Sequence, residues 1–131
     1  MVRLSFVAVL ALLVGLLPMR HAQAQTTTDQ QLLKADQLDQ LVAPIALYPD
    51  ALLSQIFIAS TYPLEVVEAE RWVKKNPNLK GDQLKAAVEQ QGWDESVKSL
   101  TATPSVLDMM SDRLDWTQKL GDAVLAQQAT R

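Results

Sequence analysis

Two residue types behind much enzyme chemistry are nearly missing. Cysteine does not occur in the 131 residues, and histidine occurs once, at His21. Without cysteine the chain has no disulfide and no thiolate, so it must fold on packing alone. His21 falls inside an N-terminal leader described below, which leaves the rest of the chain without an imidazole. That excludes a Ser-His-Asp triad, a cysteine nucleophile and a histidine-based zinc site. No serine stands three residues before a lysine, so the Ser-x-x-Lys nucleophile is missing too. Glycine occurs four times, never in a phosphate-cradling run, and no segment has calcium-loop spacing. A sustained period-two alternation is also lacking, which argues against strands.

What is present begins with an address. Met1-Val2-Arg3 is a short basic start, Leu4 to Leu17 is a nearly unbroken apolar run, and Ala22-Gln23-Ala24 is a small-x-small site. This is the order of a cleavable secretory signal over residues 1–24. As a helix, the apolar run would reach about 21 Å, short of a hydrocarbon core of roughly 30 Å. The rival reading is an uncleaved inner-membrane anchor. With no cysteine after the run, a lipid-modified N-terminus is excluded. Cleavage after Ala24 leaves 107 residues, which suits one domain with a modest core. It also removes Arg3 and Arg20, leaving ten basic and fifteen acidic residues and a net charge of −5. That balance gives no electrostatic footprint for nucleic acid or an anionic lipid surface.

Leu41 to Trp72 is the densest apolar stretch beyond the leader, and it holds an internal echo. Tyr48-Pro49 and Tyr62-Pro63 stand fourteen residues apart, each an extended residue followed by a proline suited to a first helical turn. The pair predicts two helices joined at a corner, Ser60-Thr61-Tyr62. Residues 25–35 are expected to be a flexible segment, although Thr28 and Gln31 fit a capping box for a first helix ended by Pro44. A second helix is expected over Pro49–Ala59, apolar on much of its surface and widened by Ile58, hence central. A third, Pro63–Lys75, has Val66, Ala69, Trp72 and Val73 on one side. Glu68, Glu70, Arg71, Lys74 and Lys75 lie opposite, with a Glu70–Lys74 pair. This pattern reads as a surface helix. Asp82 is expected to cap a fourth helix through Gln91, stopped by Gly92. Asp94 starts a short fifth and Thr103-Pro104 a sixth with Val106, Leu107, Met110 and Leu114 inward. Asp115 caps a seventh through Ala126. The fold class is all-α: a compact array of six to seven short helices over residues 36–128, then a tail of residues 129–131.

The remaining chemistry is that of carboxylates and aromatic rings. Asp108, Asp112 and Asp115 recur at i, i+4, i+7 and could share a face holding a hard cation, against the plainer reading of a solvated, capping surface. Glu65 falls beside Trp72 on the helical wheel. A carboxyl group desolvated against an indole is the setting of a general acid, whereas a first-turn glutamate is also what the helix dipole favours. Trp72, Trp93 and Trp116, each near a helix boundary, fit either a groove for sugar or peptide or plugs where two helices meet. Tyr48 and Tyr62 carry the same two readings, and Asp50 follows the first Tyr-Pro. The candidate binding residues are Tyr48, Asp50, Tyr62, Glu65, Trp72, Trp93 and Trp116, with no metal or cofactor called for.

The segments LDQLVAPIALYPDALLSQIFIASTYPLEVVEAERWV, WDESVKSL and WTQKLGDAVLAQQ resemble the bacterial domain-of-unknown-function 3300 family over roughly Asp36 to Gln128. The resemblance implies an exported envelope protein and supplies no catalytic residues. Similar proteins continue into another helix and a long Pro/Tyr/Gly-rich tail. This chain ends at Arg131, as either a self-sufficient helical domain or a truncated member. The functional expectation is a non-enzymatic periplasmic or envelope module that binds another protein or a wall or surface polymer. The alternatives are a carboxylate hydrolase using Glu65 with an aspartate, and an inner-membrane protein held by its N-terminal helix. No nucleic acid is expected as a partner, and a membrane only if the leader is uncleaved.

Overall fold

The computed structural model describes residues 32–130. The leader, the Thr28–Gln31 capping box and Arg131 lie outside them. Among the described residues there are seven α-helices, one 3-10 turn and no strand. The helices are α1 (Ala35–Val42), α2 (Asp50–Ala59), α3 (Pro63–Lys75), α4 (Gly81–Glu89), α5 (Glu95–Leu100), α6 (Pro104–Asp112) and α7 (Leu114–Ala129). The 3-10 turn, Ala43–Ile45, follows α1. The expected all-helical array is what the chain forms.

Proline sets several of these boundaries. Pro44 converts the end of α1 into the 3-10 turn, as its missing donor requires. Pro63 and Pro104 each occupy the first turn of their helices, behind the non-helical residues Tyr62 and Thr103. Pro49 differs from its echo. It is the residue before the helix, with φ −61° and ψ 152°, and Asp50 opens α2. The two Tyr-Pro corners are therefore offset by one residue.

Several expected boundaries move. Leu32 to Lys34 are not helical, so α1 begins at Ala35, and the Lys34 N–H is taken by Gln37 Oε1 at 2.8 Å. Asp82 and Asp115 do not cap. Each lies inside its helix, behind Lys80 and Arg113 respectively. The left-handed glycine is Gly81, φ +51°, at the start of α4, while Gly92 lies past the end of α4 without a positive φ. A helix start that turns through a glycine needs no side-chain cap at Asp82. Asp94 does cap, accepting the Ser96 amide at 2.9 Å and the Ser96 hydroxyl at 2.6 Å.

The core gathers Ile45, Ile56, Val66, Val97, Leu100, Leu107, Met110 and Leu120 from nearly every element. α3 makes its most extensive contact with α6 and also packs on α5 and α7. It is thus central rather than a surface helix. The reason is Glu70, which is only 7% exposed and continues the Val66–Ala69–Val73 stripe at helical spacing instead of facing water. Lys74 pairs with it from the rim and lies 3.7 Å from Asp108 of α6. Ile58, expected to widen the apolar stripe of α2, is 45% exposed.

The Trp-Thr-x-x-Leu-Gly segment explains how α7 closes the array. Trp116 Nε1 donates to the Leu41 carbonyl at 2.7 Å, joining α7 to α1. Thr117 is buried and donates to the Met110 carbonyl at 2.7 Å across the α6–α7 break. Leu120 enters the core. A Cβ on Gly121 would lie 2.2 Å from the Ser60 carbonyl oxygen, so only glycine lets α7 pass the end of α2.

Candidate functional site

The residues singled out from the sequence fall into two groups. Tyr62, Glu65, Trp72 and Trp93 come together, while Tyr48, Asp50 and Trp116 lie elsewhere. Glu65, Glu68 and Trp72 follow at i, i+3, i+7 and so share one face of α3. The loop between α4 and α5 crosses that face. Its Trp93 ring meets Trp72 edge to face, with centroids 5.8 Å apart and planes at 80°, an arrangement aromatic pairs favour. Trp93 Nε1 donates to Glu68 Oε2 at 3.3 Å, and the Asp94 amide donates to Glu65 Oε1 at 2.7 Å.

Tyr62 completes the face at the N-terminus of α3, 39% exposed. The Asp94 charge beside the phenol pushes its pKa up, with partial burial and the Glu65 charge adding to the effect. Asp94 itself is held below the ordinary carboxylate range by the Ser96 hydroxyl and then the Ser96 amide, against a small opposing effect of burial. The result is an aromatic surface carrying the carboxylates of Glu65, Glu68 and Asp94. Chemically it suits a partner that offers positive charge to the acids and an apolar or cationic edge to the rings.

Its charge makes Glu68 read as solvent-facing in the sequence, although its wheel position is shared with Glu65 and Trp72. From the sequence Asp94 marks only the start of a helix, since no local pattern brings residue 94 to residue 62. The aspartate set does not assemble. The break at Arg113 separates Asp108 and Asp112 from Asp115, and no three acidic, histidine or cysteine side chains converge on a metal geometry among the described residues. Tyr48 and Trp116 pack against the core, and Asp50 opens α2 in its first turn.

A second concave feature is a cleft of about 620 Å³ between α4 and the body. Leu84 and Val88 of α4 line it, with Val73 of α3 and Pro104 of α6. Leu84 and Val88 stand at i, i+4 and so share one side of α4, but that spacing does not show that the side faces a cleft. No single helix among the described residues is long and apolar enough to cross a membrane. α1 with its 3-10 turn and α2 reach that length together but meet at 108°.

The uncharacterised protein YacH of Escherichia coli (strain K12) is 55% identical over 91 residues, which cover 70% of this chain and 15% of that protein. The chain therefore corresponds to a small part of its relative. No solved structure matches it. The family described as "Protein of unknown function (DUF3300)" matches residues 34–130, and the chain belongs to that family.

Proposed function

We propose that this domain is a non-enzymatic binding module of the bacterial cell envelope that docks a protein or a wall or surface polymer. The observation that carries the proposal is the face made by Tyr62, Trp72 and Trp93 with Glu65, Glu68 and Asp94. Its rings supply contact area at low entropic cost, and its acids select for basic or amino groups in the partner. The lack of histidine and cysteine beyond residue 21 supports binding over catalysis. Glu65 is engaged by the Asp94 amide, a positioning role that asks for no proton transfer. Export rests on the leader pattern of residues 1–24.

In-cell crosslinking of the tagged full chain, followed by mass spectrometry, tests the proposal. One abundant envelope partner is expected, lost in Glu68→Lys and in Tyr62→Ser, both at exposed positions. A partner retained in both variants, or a clean monomer in every sample, would contradict it. The mass of the recovered chain tests export in the same sample, because cleavage removes residues 1–24.

A further inference from the structure

α4 is amphipathic, yet it shares no extensive packing with any other helix, and Val88 is its one buried residue. Its apolar residues Leu84 and Val88 line the cleft. Leu79 from the α3–α4 connection and Ala102 from the α5–α6 connection add to the apolar lining. The volume, about 620 Å³, lies within the range of sites that enclose a small organic molecule.

The polar groups around the cleft narrow the choice of occupant. Asn76 Nδ2 donates to the Trp72 carbonyl at 2.8 Å, and the Thr101 hydroxyl donates to the Lys98 carbonyl at 2.6 Å. Lys98 lies 3.6 Å from Glu95 and 3.9 Å from Glu89, so both carboxylates at this rim already face a cation. A peptide strand or helix would bring amides into the cleft and find the Thr101 donor and one Asn76 donor already used. Two further lysines line the cleft, Lys80 and Lys85, both exposed and outside the ion pairs found among the described residues. The rim therefore carries uncompensated positive charge in a chain whose net charge is −3.

We propose that this cleft binds a straight-chain anionic amphiphile of the fatty-acid type. The acyl chain lies against Leu79, Leu84, Val88 and Val73, and the carboxylate meets Lys80 and Lys85. This site shares no residue with the aromatic face, so it stands or falls separately from the docking role.

The test is titration calorimetry of the full chain with octanoate, decanoate and dodecanoate, each below its micellar range, and with the matching alcohols. Each added CH2 is expected to tighten binding by about fourfold, the equivalent of about 0.8 kcal/mol. The double variant Lys80→Glu, Lys85→Glu is expected to weaken dodecanoate by about tenfold and to leave dodecanol nearly unchanged. Ala102→Trp fills the cleft at an exposed position and is expected to abolish binding of both while the thermal unfolding midpoint stays close to that of the parent. Binding that survives Ala102→Trp comes from elsewhere in the chain and overturns the assignment. So does affinity that ignores chain length, or dodecanol bound as tightly as dodecanoate.

Discussion

Gly121 and Asp94 carry structural weight out of proportion to their size. Gly121 lies where α7 crosses the end of α2, and the atom a Cβ would strike is backbone, which cannot swing aside. Gly121→Ala is therefore expected to destabilise the fold by about 1–3 kcal/mol, as overpacking does, read from the urea midpoint. Gly92→Ala meets nothing within 4 Å and is expected to leave that midpoint unchanged or slightly raised. Asp94 adds a pH dependence. Because its pKa is lowered in the fold, its cap stabilises the protein fully above the ordinary carboxylate range, near about pH 4, and is lost as pH falls below it. Asp94→Ala should cost about 1 kcal/mol at neutral pH. Asp94→Asn should keep much of the cap and lose the titration, so that its stability falls less steeply than the parent's as the pH drops below about 4.

At the scale of elements, the helices differ in how firmly they are held. α3 and α6 share the most extensive interface and should protect their amides longest in hydrogen exchange. α4 has one buried residue and α1 none, so both should exchange sooner. α1 is tied to the body through the Trp116–Leu41 hydrogen bond. Trp116→Phe is expected to raise exchange in α1 selectively while α3 and α6 keep their protection. An equal loss in all three would show that Trp116 supports the whole core rather than one helix. Helix existence was legible because apolar spacing and proline positions both act within a few residues. The ends α3 takes, Pro63 and Lys75, are those its sequence pattern predicts. The caps were less legible, since Asp82 and Asp115 look like N-caps until Gly81 and Arg113 take over the turn. Charge misled twice on α3, where Glu70 enters the interior and Glu68 joins the aromatic face.

Across the whole molecule, the segments most recognisable in the sequence are largely scaffold. Trp116, Thr117, Leu120 and Gly121 join α7 to its neighbours, and the Tyr-Pro corners turn the chain at α2 and α3. Of seven candidate binding residues, four converge, and what draws them together is the loop from α4 to α5 lying across α3. That long-range placement has no local signature, which is why Trp72 and Trp93 could be named from the sequence but not paired. The cleft is a product of the same topology, because the loop docks on α3 while α4 itself stays apart. The docking role proposed for the domain rests on the aromatic face, one product of this topology.

Site-specific photocrosslinking in living cells tests that account most directly. A photoreactive phenylalanine analogue at position 62 places the probe on the aromatic face, and the same analogue at the exposed Gln127 on α7 serves as the control. The account predicts a discrete adduct from position 62 that disappears with Glu68→Lys and is not seen from position 127. An adduct of equal yield from both positions, or none from position 62, would contradict it.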